Sequence, residues 1–213
     1  MIKHLFTYDE NGNPKEHDSL TVTINGIEGN RKCHSWRQVL ILPVSTLQSF
    51  RIEKKQLREN IVIDSPLEIH KLESGVVLGL GETEVRLTFH CEPCKKIKNI
   101  VSPRKIIHQR GYLGNVLKGG AIRIGDQVSV KQQRYEAIPY ELADRVKWYI
   151  NKSDEPVLVS KLVEDIGLSK SYCRAIPNII RNRSDIDKRK ILFLSGSKAC
   201  STKSNKLLSF EQA

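Results

Sequence analysis

The chain has 213 residues, 39% of them hydrophobic, and a formal net charge of +11. That length allows one large or two small domains, and the basic balance favours anionic partners such as phosphates, an anionic cofactor or nucleic acid. No apolar run reaches the roughly 20 residues that span a bilayer and no apolar leader opens the chain, so a cytoplasmic protein without a membrane partner is expected.

The charge is spread along the chain. Residues 1–134 carry 21 basic and 14 acidic side chains, and residues 135–213 carry 14 and 10. Neither part is the block of like charge that marks a dedicated nucleic-acid arm. The five cysteines (33, 91, 94, 173 and 200) are odd in number, which argues against a disulfide framework in a chain with no secretory signal.

Residues 1–134 read as mostly β. Leu20–Ile24 alternates as Leu-Thr-Val-Thr-Ile. Trp36–Leu42 is a β-rich run stopped by Pro43, and Pro43–Phe50 predicts a short helix with proline at its start. Leu57–Ile63, Val76–Leu80, Val85–Phe89, Ala121–Ile124 and Gln127–Val130 are further strand segments, punctuated by Pro66, Gly75, Gly81, Gly119-Gly120 and Gly125-Asp126. Short strands between glycine-rich turns predict a β-barrel or a folded sheet.

The period changes near Tyr135. Leu142, Val146, Tyr149 and Ile150 lie at helical spacing within Pro139–Ile150. Ser160 can cap a helix to Ile166, which Gly167 can end. Ser169 can cap another from Lys170 to Arg181, and Pro177 inside it can kink or shorten it. Asp187–Leu194 reads as a basic strand. Helix, glycine turn, helix and strand predict a small helical winged helix-turn-helix-like domain over residues 135–195. The Ser- and Lys-rich residues 196–213 read as a loose tail. The fold class is α+β, a β-barrel followed by this smaller domain.

The chemistry concentrates at Cys91-Glu92-Pro93-Cys94. From Lys95 to Arg110 six residues are Lys or Arg and none is acidic. Positive surroundings favour the thiolate, which is the nucleophile and metal ligand, and they also attract anions. Other readings stay open. The pair can be half of a tetrahedral zinc site completed by Cys33, His34 or His90, or it can be inert. The basic run can be a solvated face. Arg58, Glu59 and Asn60 form a polar cluster in an apolar stretch, either as turn-bonding groups or with Arg58 gripping phosphate and Asn60 in the same cleft. His34 and His108 read as surface histidines, Cys173 as a core residue and Cys200 as incidental.

Three segments in the first part share an order with a known family. They are Gly26-Ile27-Glu28-Gly29-Asn30, then Leu57-Arg58-Glu59-Asn60, then Thr88-x-x-Cys91-Glu92-Pro93-Cys94, followed by Arg110-Gly111-Tyr112-x-Gly114 and Gly119-Gly120-x-Ile122-x-x-Gly125-Asp126. In this order they resemble the MOSC domain, the family named after the C-terminal domain of molybdenum-cofactor sulfurase. Asn30 departs from the Asp usual there. The resemblance implies a MOSC-type β-barrel and a cysteine, Cys94, that carries sulfur or ligates molybdenum of a pterin cofactor. Cys91 would then resolve an oxidised or persulfidated Cys94. Arg58, Asn60, Lys95 and Arg110 would line the anionic cleft. A sulfur donor or redox protein would be the partner. With molybdenum bound, reduction of N-hydroxylated compounds is the activity implied. Pyridoxal phosphate binding is a further expectation from the same resemblance.

The second part resembles winged-helix domains and, faintly, the helical domain of alkylguanine-DNA alkyltransferases. The Pro-Cys-His-Arg motif of the latter is absent, so alkyl transfer is not expected. A nucleic-acid partner would meet Lys170, Arg174, Arg181 and Arg183, with Lys188–Lys190 as the wing tip.

Overall fold

The computed structural model describes residues 1–168, 170–194 and 207–209. The chain divides into two units, Met1–Ile138 and Pro139–Ala213.

The first unit holds eleven strands and two short helices. The strands are β1 (Ile2–Tyr8), β2 (Pro14–His17), β3 (Ser19–Thr23), β4 (Gly26–Ile27), β5 (Val39–Pro43), β6 (Ile61–Ile63), β7 (Val76–Leu80), β8 (Thr83–His90), β9 (Tyr112–Lys118), β10 (Gly120–Arg123) and β11 (Val128–Arg134). The helices are α1 (Val44–Phe50) and α2 (Pro103–Ile106). Eight strands form one sheet in the order β11-β7-β8-β9-β5-β6-β1-β2, and β10-β3-β4 form another. Only β5 and β6 pair in parallel in the large sheet. Their register sets Ile41 between Ile61 and Tyr112.

The apolar alternation of these strands builds one core. Leu20, Val22 and Ile122 of the small sheet are buried with Ile2, Leu5, Ile41, Ile61, Leu78 and Leu87 of the large one. Burying each such side chain contributes about 1.5–3 kcal/mol relative to exposure. A separate cluster, Leu42, Ile52, Leu57, Ile97 and Ile106, lies beneath the segment that carries the cysteines.

The closed barrel expected from the glycine-rich turns is not formed. The large sheet ends in β11 on one side and β2 on the other, and the sheets stay open. Both ends are unsuited to further pairing. Pro14, Lys15 and Glu16 of β2 are exposed, as are Gln132, Gln133 and Arg134 of β11. Proline and charge on an edge strand block the pairing that closure needs.

The strand expected over Leu57–Ile63 is confined to Ile61–Ile63. Lys55 and Arg58 have φ of 78° and 66°, so the preceding backbone turns instead of extending. A non-glycine residue held there costs on the order of 1–3 kcal/mol.

The second unit comprises α3 (Leu142–Lys152), β12 (Val157–Leu158), α4 (Val159–Asp165), α5 (Ile176–Arg181), β13 (Ile191–Leu194) and β14 (Leu207–Ser209). Val146, Ile150, Leu162, Val163, Ile176, Ile180 and Ile191 are buried in its core. Cys173 is buried with them and disulfide-bonded, which removes it from thiol chemistry. Arg145 is also buried, and its guanidinium donates to the Pro139, Tyr140 and Ile166 carbonyls. The helix expected from Lys170 to Arg181 is broken. Lys170–Arg174 is a 3-10 turn, and Pro177 lies in the first turn of α5, where its missing N–H does no harm. β12 pairs with β13 in parallel, and β13 pairs with β14 antiparallel. Helices with a small sheet are what the unit defines. Of the expected tail, residues 196–206 and 210–213 lie outside the described residues, as does Cys200. No helix of the described residues is long and apolar enough to cross a membrane.

Candidate functional site

β8 delivers the two cysteines. It ends at His90, and the chain then leaves the sheet through Cys91-Glu92-Pro93-Cys94 into a 3-10 turn, Lys95–Ile97. Ile97 and Ile106 plug this basic segment into the apolar cluster below, while Lys96, Lys98, Arg104 and Lys105 remain exposed. The segment returns to the sheet at Arg110, just before β9. Cys91 and Arg110 are thereby brought to one place, because Cys91 N–H donates to the Gly111 carbonyl at 2.9 Å.

The two sulfurs differ. Cys91 is buried against Leu40 and Leu113. Burial pushes its thiol pKa up, with Arg110 and Arg37 opposing. Cys94 is half-buried and receives an N–H from the Arg110 guanidinium at 3.4 Å. A cationic donor on sulfur is a charge-assisted contact, stronger toward an anionic acceptor than a neutral one.

Arg110 is itself buried and held by two further hydrogen bonds. It donates to the Glu92 carbonyl at 2.6 Å and to the Leu57 carbonyl at 3.3 Å. Burial lowers its pKa, but the charge and hydrogen bonding of Cys91, Cys94 and Glu59 outweigh that and raise it.

More cations converge on the same sulfur. Arg58 and Lys96 each interact electrostatically with Cys94, Arg31 and Arg110. Desolvation, followed by repulsion from Arg31, lowers the Arg58 pKa. Desolvation, followed by Arg58 and Arg31, lowers that of Lys96. Arg58 is aimed by its positive φ, by a bond to the Gly12 carbonyl at 3.3 Å and by stacking 5.6 Å over the Tyr8 ring. A Cβ at Gly12 would run into this guanidinium, and the φ of +87° there also favours glycine.

One acid belongs to the cluster. Glu59 is fully buried, accepts the Lys55 N–H on Oε1, and has its pKa raised by burial against the opposing bonds and Arg110. Arg58 Nε, Glu59 Oε2 and Arg110 Nε are all buried without a hydrogen-bond partner. Unpaired buried polar atoms are uncommon in folded chains and concentrate where a site imposes its own requirements.

Asn60 sits beside this cluster with its amide committed elsewhere. Oδ1 accepts from Leu40 N–H at 3.0 Å, and Nδ2 donates to the Phe6 carbonyl at 3.2 Å and to Asn30 Oδ1 at 3.4 Å. Asn30 also accepts the Tyr8 N–H and donates to the Arg31 carbonyl. An aspartate at position 30 has no N–H for that last bond. Thus Asn30 and Asn60 tie β1, β5 and the Arg31 backbone together.

Behind the cysteines lie three histidines. The His90 ring is 5.9 Å from that of His70, 6.0 Å from that of His108 and 4.3 Å from that of Tyr112. His70 Nε2 accepts the Gly111 N–H at 3.0 Å. Burial, with His108 adding to it, pushes the His70 pKa down to about 4. His90 is buried and donates from Nδ1 to the His108 carbonyl.

The fold therefore gathers Cys91, Cys94, Arg58 and Arg110 with Glu59 of the expected polar cluster, and adds two residues the sequence did not single out, Arg31 and Tyr8. Arg31 follows the Gly-x-x-Gly-Asn segment, which is the signal that could have found it. The Lys95 and Lys170 side chains lie outside what is described. In the second unit Arg174 and Arg181 are exposed, Arg181 bonding Asn178. Arg183 is tied to Asp144 and Asp185. Among the described residues no group of three or more His, Cys, Asp or Glu side chains is arranged to hold a metal ion, so the four-ligand zinc site is not formed.

An α+β unit with an open sheet places a half-buried thiol on an exit loop, among several cations that interact with it. In sequence, residues 30–129 match the MOSC domain. The YuaD protein from Bacillus subtilis is similar in fold, with a TM-score of 0.54 and 16% identity, covering 63% of this chain and 96% of that one. A crystal structure described as a hypothetical protein gives a TM-score of 0.53 and 18% identity, covering 84% and 89%. YiiM from Escherichia coli gives 0.47 and 18%, covering 83% and 90%. No curated protein matches the chain in sequence.

Proposed function

We propose that the first unit uses Cys94 as a reactive sulfur beside a bound anion, either carrying sulfur or ligating the molybdenum of an anionic pterin cofactor. One observation carries this reading: the Arg110 N–H directed onto Cys94 Sγ within a cluster that includes Arg31, Arg58 and Lys96. As a sulfur carrier, the Cys94 thiolate attacks the terminal sulfur of a donor protein's persulfide. The S–S bond breaks, the donor leaves as a thiolate, and Cys94 keeps a persulfide whose charge the cations stabilise.

The residues also fit the cofactor. A metal centre made by the protein alone is not supported, but a single soft thiol suits a metal whose other ligands come with its cofactor, and the cations suit that cofactor's phosphate. Bound molybdenum would supply a two-electron redox centre, and reduction of N-hydroxylated compounds is the activity the family resemblance suggests. Arg58 and Arg110 would hold the phosphate, and Glu59 would temper the charge of Arg110. Lys96 offers an amine beside the same cations, which is as far as the pyridoxal phosphate expectation goes.

The test uses protein purified from molybdate-supplied cells, with molybdenum, pterin and cyanide-labile sulfur measured in wild type and Cys94→Ser. Loss of metal or sulfur in the variant, with the fold intact, supports the reading. Equal loading of both proteins overturns it.

Nucleic-acid binding through the second unit is the other reading. Exposed Arg174 and Arg181 favour it, and the pairing of Arg183 and Arg189 with neighbouring aspartates weakens the field they would create.

A further inference from the structure

Arg110 can serve Cys94 only if its backbone is fixed, and Gly111 is the fixed point. Gly111 has φ of +95°, and a Cβ there would come within 2.6 Å of the Ile41 carbonyl. Its carbonyl accepts from Cys91 N–H, and its own N–H donates to His70 Nε2 at 3.0 Å. Gly111 is thus held through both of its peptides, and the one joining it to Arg110 is held by a side chain 41 residues away in sequence. His70 comes from the 3-10 turn Ile69–Lys71, whose Ile69 is fully buried in the main core. The anchor is therefore tied to the main core through Ile69.

We propose that His70 is a positioning residue for the thiol site. By accepting the Gly111 N–H it holds Arg110 against Cys94 and so sets the reactivity of that sulfur. The inference rests on Cys94 being the reactive thiol. Deleting the acceptor leaves a buried N–H unpaired, and the backbone must shift to find another partner. Any shift at Gly111 moves Cα of Arg110, and the 3.4 Å contact with sulfur weakens.

Two near-isosteric variants separate this role from mere packing. The Gln side-chain oxygen can occupy the place of His Nε2, whereas Asn falls short of it. The probe is iodoacetamide on the full chain, with alkylation of Cys94 followed by mass spectrometry at fixed neutral pH. Arg110→Gln sets the floor, expected about tenfold below wild type, the effect of one lost charge-assisted contact on sulfur. His70→Asn is expected to fall to the same floor and His70→Gln to stay within about threefold of wild type, as a retained neutral hydrogen bond would give. Folding of each variant is checked by circular dichroism. Asn and Gln reacting alike, whether both fast or both slow, overturns the proposal. If wild-type Cys94 reacts no faster than exposed Cys33, the thiol reading fails first, and that result is distinct from a null difference between the His70 variants.

Discussion

Arg110 spans the gap between the buried strands and the half-exposed Cys94, donating from Nη1 to sulfur at 3.4 Å and to the Glu92 carbonyl, and from Nη2 to the Leu57 carbonyl. A planar guanidinium reaches three acceptors at once, and an ammonium on a flexible stem does not. Arg110→Lys therefore keeps the charge and loses the geometry. Cys94 alkylation is expected to fall several-fold, and stability by about 1–3 kcal/mol, the cost of leaving a buried carbonyl unpaired. Urea denaturation with the alkylation assay checks both. A Lys variant equal to wild type in both measurements contradicts this account.

The cysteines should respond differently to the same replacement. Cys91→Ser places a hydroxyl among Leu40 and Leu113, with an expected loss of about 1–3 kcal/mol unless it finds a partner. Cys94→Ser is half-exposed, so its unfolding midpoint should stay close to wild type while sulfur or metal loading disappears. Thermal melts of both variants decide it, since equal destabilisation would show that Cys94 is a packing residue.

Much of this was legible in the sequence, for local reasons. β3, β7, β8 and β10 alternate or run apolar between glycines, and the cation-rich stretch follows the cysteines directly. β1 and β9 were missed because Lys3, His4, Gly114 and Asn115 interrupt their patterns. Barrel closure depends on whether β2 and β11 meet, which no window of sequence contains. The Arg110–Cys94 pair lies 16 residues apart, within one readable segment, whereas His70 reaches Gly111 from another loop with no motif around it.

Asn60 tests the division between binding and architecture. Its amide bonds Leu40 N–H and the Phe6 carbonyl, both buried. Asn60→Asp keeps the acceptor and loses the donor, so the Phe6 carbonyl and an uncompensated charge are left inside. An expected loss of about 2–4 kcal/mol follows from those two faults. Equilibrium denaturation measures it. If the variant is as stable as wild type yet fails to bind an anion, Asn60 belongs to the cleft after all.

His70 gives a pH signature. Its pKa is about 4 in the folded chain against 6.5 for an ordinary histidine, so the unfolded state takes up the proton first. Stability from this residue is complete above about pH 6.5 and declines as pH falls toward 4. His70→Gln removes that contribution to the slope. Unfolding free energies at pH 7, 6, 5 and 4.5 should diverge between wild type and variant in that window, and parallel curves would contradict burial of a neutral imidazole.

Charge reversal separates the two units' roles. Arg174→Glu with Arg181→Glu changes two exposed cations of the second unit without touching Cys94. If that unit binds nucleic acid, each lost phosphate contact weakens binding and reduces the magnitude of the salt slope by about one. Arg58→Ala instead removes a cation that interacts with Cys94, so anion or cofactor binding should fall while any nucleic-acid affinity persists. The Arg58 change is expected to matter more, because its guanidinium is aimed by Gly12 and Tyr8, whereas two other cations of the second unit, Arg183 and Arg189, are already paired with acids. Fluorescence anisotropy with a short duplex at several salt concentrations, alongside phosphate binding by calorimetry, reads both effects. If the double reversal abolishes activity in cells while Arg58→Ala and Cys94→Ser leave it unchanged, the thiol-centred reading is wrong and the second unit carries the function.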